Sequence, residues 1–195
     1  MEKKLRIMIV EDNALESLGI SSCVKELGHD VVKTASSAAT AIDFAVNNDL
    51  DCILMDINLS GDDGISIMNE IQKDKDIPFV FITGYSDTQT VERAAKLCPY
   101  GYLVKPVDIN DIRTALAVAF KLFEEKKQLK QEISDTKRQL SERKLIERAK
   151  GILMDSFDHT ESSAMAFMQQ KSRKTNRKLV DIAKDIIRMK ESIDF

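Results

Sequence analysis

The chain has 195 residues, 43% of them hydrophobic and 31% charged, a balance that can bury a core and that excludes a disordered polymer. No apolar run approaches the ~20 residues of a membrane-spanning helix, so no membrane segment is expected. The net charge is only −3. It is unevenly spread: residues 1–120 carry 11 basic and 19 acidic side chains, residues 121–140 carry 6 and 4, and residues 141–195 carry 12 and 9. An acidic front and a basic back point to two domains with different partners, the second a polyanion. Met1-Glu-Lys-Lys leads straight into a strand-like run, unlike a signal peptide. Cys23, Cys52 and Cys98 are odd in number and far apart, which suits reduced thiols in a cytoplasm. His29 and His159 show no ligand spacing, so a histidine metal site is not expected.

The first run, LRIMIV (5–10), is β-branched and apolar with almost no alternation, the pattern of a fully buried strand. EDNALESLGISSCVKEL follows as a helix, with Leu15, Leu18, Cys23, Val24 and Leu27 on its apolar stripe. VVKTA (31–35) reads as a second strand, AATAIDFAV (38–46) as a helix, and CILMD (52–56) as a third strand. GISIMNEIQK (64–73) is helical, with Ile65, Ile67, Met68 and Ile71 inward. PFVFITG (78–84) is a strand, TVERAAKL (90–97) a helix, YGYLV (100–104) a fifth strand, and a last helix starts near Asp108. Five strands alternating with five helices imply an α/β fold, a parallel sheet with helices on both faces.

In such sheets function gathers at the carboxyl ends of the strands. Those ends carry Glu11 and Asp12, Asp56, Thr83 with Gly84, and Lys105 with Pro106. Three carboxylates this close repel unless a cation sits among them, and hard oxygen ligands suit Mg²⁺. Beside such a cation Asp56 can serve as nucleophile toward a phosphoryl group. Lys105 and the metal would neutralise the phosphoryl oxygens, and the Thr83 hydroxyl would hydrogen-bond one of them. Any one of these residues alone is an ordinary helix start, loop hydroxyl or solvated strand end. The joint pattern is the signal.

On these residues (Glu11-Asp12, Asp56 with Gly64 eight positions on, Thr83, Tyr102 and Lys105-Pro106) the stretch from 5 to about 121 resembles the receiver domain of two-component response regulators. The resemblance implies a flavodoxin-like five-stranded fold and a phosphoacceptor at Asp56 served by a sensor histidine kinase. It also implies Mg²⁺ held by Glu11 or Asp12, Asp56 and the Asn58 carbonyl, a signalling hydroxyl at Thr83, a switch ring at Tyr102 and a cis Lys105-Pro106 bond. A protein of this kind is no enzyme beyond promoting its own aspartyl phosphorylation and dephosphorylation. Ser60 stands where a proline is usual, and Cys98-Pro99 where Gly-Ala is common; neither is expected to touch the phosphate chemistry.

From Asp108 to Gly151 no strong helix breaker occurs. Leu122, Lys126, Leu129, Ile133, Thr136 and Leu140 recur at spacings of four and three, a short coiled-coil seam or else one face of a solvated helix. After Leu140 the apolar stripe restarts on Leu145, Ile146, Ala149, Ile152 and Leu153, a change of register that marks a change of partner. A second helix is expected after Asp158-His159-Thr160, capped by Thr160, with Ala164, Phe167 and Met168 inward. A third opens near Asn176 and buries Leu179, Ile182, Ala183, Ile186 and Ile187. The organisation is thus 1–121, a connector over 122–140, and a three-helix bundle over 141–195. Gly151 costs about 1 kcal/mol in mid-helix, so it serves either close packing or close approach of a ligand. KSRKTNRK (171–178) concentrates five basic residues at the joint of the last two helices, a solvated loop or a phosphate-binding patch.

KLIERAKGILM (144–154) followed by AMAFMQQKSRKTNRKLVDIAKDII (164–187) is similar to the ANTAR domain of bacterial transcription antitermination regulators. That resemblance implies a homodimer, formed on phosphorylation, that engages stem-loops of a nascent leader RNA and prevents a terminator hairpin. By position it places Ala149, Lys150, Gly151, Ser172, Asn176 and Arg177 against RNA bases, with Arg148, Arg173, Lys174 and Lys178 on phosphates. Phe157 and Phe167 read as core, which leaves the tail without a surface aromatic set for base stacking. Two competing readings remain: a DNA-binding response regulator, since NRKLVDIAKDI resembles a helix of a helix-turn-helix, or a phospho-gated protein-interaction module.

Overall fold

The computed structural model describes residues 3–84, 88–157 and 160–193. Met1, Glu2, Asp158 and His159, used in the sequence reading, lie outside the described residues. The chain forms two compact units, Met1–Lys127 and Gln128–Phe195.

The first unit is a five-stranded parallel sheet of order β2-β1-β3-β6-β7. Its strands are β1 (Arg6–Val10), β2 (Asp30–Ala35), β3 (Cys52–Asp56), β6 (Phe79–Thr83) and β7 (Gly101–Val104). Every residue of β3 and β6 is buried, which is why those stretches read as unbroken apolar runs. A two-stranded hairpin that the sequence reading missed, β4 (Asn58–Leu59) and β5 (Asp62–Asp63), follows β3. On one face α2 (Ala38–Asn47) and α3 (Gly64–Asp74) cover Met8, Ile53 and Phe79; on the other α1 (Ala14–Glu26) and the start of α5 (Ile109–Phe157) cover Ile7, Leu54 and Val80. The helix α4 (Thr88–Ala95) precedes β7.

One expected face is wrong. Leu15 is 81% and Leu18 68% exposed, while α1 buries Ile20, Ser21 and Val24. At 100° per residue Leu15 and Leu18 lie on the far side of the helix from Ile20 and Val24, so the assumed stripe mixed two faces.

The helix α5 runs unbroken over Ile109–Phe157. Its first turns are fixed to the first unit by a Tyr100–Phe123 ring contact at 5.8 Å and by a Lys126–Asp76 ion pair of 3.1 Å. Lys126 therefore faces its own domain rather than a seam. In the second unit the end of α5, α6 (Glu161–Thr175) and α7 (Leu179–Ile193) bury Ala149, Leu153, Ala164, Met168, Ile182 and Ile186 in a common core. Thr160 caps α6 by accepting the Ser163 N–H. Asn176, expected to open the third helix, instead ends α6 in a left-handed conformation, φ 51° and ψ 37°.

Candidate functional site

The sheet's topological switch point lies between β1 and β3, where the chain leaves for β2 on one side and returns on the other. That opens a crevice at the carboxyl ends of these two strands. Buried Glu11 and Asp56 and the half-buried Asp12 meet there, with carboxylate oxygens within 4.8 Å of one another. Lys105, just past β7, reaches in and places Nζ 2.7 Å from Glu11 Oε2 and 2.7 Å from Asp56 Oδ2. The Lys105-Pro106 peptide that turns the chain here is cis. Thr83 is fully buried at the end of β6, and its carbonyl accepts the Lys105 N–H at 2.7 Å.

The carboxylates are held from behind. The Asn13 N–H donates to Glu11 Oε1 at 3.0 Å, and the Asn58 N–H donates to Asp56 Oδ1 at 3.1 Å. Asp12 Oδ2 accepts the Ser60 N–H at 2.7 Å. A proline at 60 has no N–H, so the Ser60 departure does bear on the acidic site, contrary to expectation. Gly64 is required by space: a Cβ there would stand 2.0 Å from the Asp56 carbonyl oxygen.

Burial pushes the Glu11 carboxyl up, and its hydrogen bonds with Lys105 and Asn13 only partly offset this. The bonds from Ser60 hold Asp12 below the ordinary carboxylate range. Burial works against the Lys105 charge, but its bonds to Asp56, Glu11 and Glu16 outweigh that and raise its pKa. Glu16, an ion-pair partner of Lys105 on the first turn of α1, was missed in the sequence. Tyr102 packs against the core on the face of the sheet that α2 and α3 cover, and among the described residues its buried hydroxyl has no hydrogen-bond partner.

In the second unit the expected RNA-facing residues separate into five kinds. Ala149 is fully buried in the bundle core, so its methyl packs rather than faces a ligand. Ser172 and Asn176 build the joint: Ser172 Oγ donates to the Arg177 carbonyl at 2.5 Å, the Arg177 N–H returns to the Ser172 carbonyl at 3.1 Å, and Asn176 takes the left-handed cap. That cap closes the α6 carbonyls and suits asparagine's tolerance of positive φ. Lys150 is paired with Glu147 and Glu161 at 2.9 Å each, Arg148 with Glu191 at 2.9 Å, and Arg177 with Asp185 at 2.6 Å. The hydrogen bonds to Glu147 and Glu161 raise the Lys150 pKa, and that to Asp185 raises Arg177. Among the described residues Arg173, Lys174 and Lys178 are exposed with no ion-pair partner. Around Gly151 an added Cβ would meet nothing within 4 Å, so packing within the chain does not require glycine. Phe157 and Phe167, expected in the core, are 63% and 38% exposed.

Among the described residues no helix is long and apolar enough to cross a membrane. The response regulator receiver domain model matches residues 7–117 and the ANTAR domain model residues 134–187. The chain is 33% identical over 177 residues to the transcriptional regulatory protein PdtaR of Mycobacterium tuberculosis, covering 90% of this chain and 86% of that protein. It is 27% identical over 123 residues to the chemotaxis protein CheY-3 of Vibrio cholerae, covering 62% of this chain and 95% of that one. The signal receiver domain of a modulated diguanylate cyclase from Desulfovibrio desulfuricans superposes with a TM-score of 0.60 at 27% identity, covering 64% of this chain and 99% of its own. The receiver domain of sensor histidine kinase PA1611 from Pseudomonas aeruginosa, solved with magnesium coordinated in its active-site cleft, shares the fold at a TM-score of 0.56 and 24% identity, over 61% of this chain and 99% of its own. The chain belongs to the response regulators, with a receiver domain followed by an ANTAR domain.

Proposed function

We propose that this response regulator is a phosphorylation-gated RNA-binding antiterminator. A sensor histidine kinase donates a phosphoryl group to Asp56: a carboxylate oxygen bonds to phosphorus as the donor's P–N bond breaks and its imidazole takes up a proton. Glu11, Asp12 and Asp56 form a hard-oxygen set of the kind that holds Mg²⁺, with the Asn58 carbonyl as a further ligand. The magnesium-bearing cleft of the PA1611 receiver supports that choice. Bound there, the metal supplies positive charge beside the phosphoryl oxygens. Lys105, shared by Glu11 and Asp56, turns to bind a phosphoryl oxygen, and the Thr83 hydroxyl takes another. Tyr102, its buried hydroxyl unsatisfied among the described residues, is the ring that follows. The protein catalyses nothing besides the gain and loss of its own phosphoryl group.

The output is a homodimer. Leu129, Ile133 and Leu140 are 58%, 54% and 54% exposed on one stripe of α5, apolar surface that a second copy can cover. The dimer then binds stem-loops of a nascent leader transcript and causes antitermination. Arg173, Lys174 and Lys178 neutralise phosphates, while the open backbone at Gly151 admits an unstacked base. Against a DNA-reading helix, α7 commits Ile182, Ala183, Ile186 and Ile187 to the core.

The observation that most supports this reading is the meeting of Glu11, Asp12, Asp56 and Lys105 in a chain that ends in an ANTAR domain. The experiment is binding of the full chain, with and without Mg²⁺ and a small phosphodonor, to labelled tandem RNA hairpins and to duplex DNA. Retention on RNA that rises with phosphodonor supports the reading. Preference for DNA, or binding to neither, overturns it.

A further inference from the structure

The two phenylalanines that the sequence placed in the core flank a cavity of about 420 Å³ in the helical unit. Phe157 at the end of α5, Phe167 on α6, and Ile186 and Met189 on α7 form its apolar walls. Lys171 and Lys190 line it as well, and among the described residues no carboxylate does. Lys171 Nζ sits 5.9 Å from the centre of the Phe167 ring. A volume in this range fits small ring-bearing ligands. Apolar aromatic walls with cations alone for charge suit a flat ring that carries a phosphate.

The cavity also shares a face of α6 with the cationic joint. Phe167, Lys171 and Lys174 follow at i, i+4 and i+7 along one face of α6, and Lys178 lies just past the Asn176 turn. A strand held by phosphates at Lys174 and Lys178 therefore meets an aromatic wall about two helical turns further on. Aromatic faces next to tracked phosphates are how single-stranded nucleic acid is bound, since every base offers a ring to stack.

We propose that this cavity is a base-stacking pocket that takes one unpaired nucleotide of the RNA loop, Phe157 stacking on the base and Lys171 and Lys190 holding its flanking phosphates. This rests on the RNA-binding reading and adds to it a second base site, apart from Gly151. It gives the tail the aromatic surface that its sequence lacked.

The test uses the full-length protein with Mg²⁺ and acetyl phosphate. It is titrated against an RNA hairpin carrying 2-aminopurine in its loop, and against a fully paired RNA duplex of equal length. Binding of the hairpin quenches the 2-aminopurine emission. Phe157→Ala lowers hairpin affinity about tenfold and abolishes the quench, with duplex affinity unchanged, while Phe157→Trp restores both. Lys174→Ala weakens hairpin and duplex alike. Should Phe157→Ala unfold the bundle by circular dichroism, Met189→Ser on the opposite wall replaces it, with the same expected loss. Unchanged affinity and quench in a folded variant overturn the pocket and leave the RNA-binding reading standing. If the wild type binds neither RNA, both fall. If Phe157→Ala lowers the mass by light scattering and weakens hairpin and duplex equally, the cavity belongs to a second copy of the chain and the proposal is overturned.

Discussion

Lys105 is shared by Glu11, Asp56 and Glu16, and only the first two line the acidic crevice. Glu16 is partly exposed and holds the Lys105 ammonium by a third ion pair, which under the proposed function competes with a phosphoryl oxygen for it. Glu16→Gln should therefore speed phosphorylation by a small donor, by up to about fivefold for an exposed pair of this kind; an unchanged rate in stopped-flow measurements would make Glu16 an idle surface contact. Gly64 is bound by space alone. Gly64→Ala should cost about 1–3 kcal/mol in urea unfolding and slow phosphorylation as well, because the clash falls on the Asp56 carbonyl. Asp51 ties the start of β1 to the approach to β3 through Lys3 Nζ at 2.6 Å and the Arg6 N–H at 2.9 Å. Burial raises its pKa, but these two bonds outweigh burial and leave it below the ordinary 3.8. A depressed carboxyl stabilises the fold above 3.8 and loses that contribution as pH falls through its folded value. Asp51→Asn should lower Tm at pH 7 and lower it progressively less below pH 3.8; a constant Tm difference across that range would deny the linkage.

The crevice residues were legible because a strand end fixes where a side chain must be, so Glu11, Asp12, Asp56, Thr83 and Lys105 could be placed from five apolar runs. Glu16 and the Ser60 N–H were not, since one acts from a helix turn and the other through backbone, and neither leaves a mark in hydropathy. In the tail, motif letters do not say whether a residue packs, caps or faces solvent. Ala149 packs, and Ser172 and Asn176 build a turn.

At the scale of elements the strands and most helices match their apolar spacing, since burial on both faces leaves an unbroken run. The β4–β5 hairpin is two residues a side and too short to show a period. In α1 the stripe was misjudged because Leu15 and Leu18 are apolar residues left in solvent. In α5 the Lys126 position belongs to the receiver through Asp76 and the Tyr100 ring, so the stripe proposed as a seam starts at Leu129. If that stripe joins two copies, Ile133→Lys should lower the dimer fraction in light scattering, with and without phosphodonor, by setting like charges in an apolar seam. Lys126→Gln should leave it unchanged. Equal mass for wild type and Ile133→Lys would reduce the stripe to a solvated helix face.

For the whole molecule, the −8 of residues 1–120 and the +3 of residues 141–195 match the work assigned to each part. Under the proposed function the acidic groups sit where a cation and a phosphoryl group would be handled, and the basic excess sits where a polyanion would be met. One helix, α5, carries residues of both units, and the proposed function assigns it the link between Asp56 chemistry and RNA binding. The most direct test is RNA-hairpin affinity of the wild type and of Asp56→Asn, each with Mg²⁺, with and without acetyl phosphate. The account predicts tighter binding by the wild type when acetyl phosphate is present, no response in Asp56→Asn, and loss of the wild-type response in chelator. An equal response in both proteins, or none in either while RNA is bound, would contradict it.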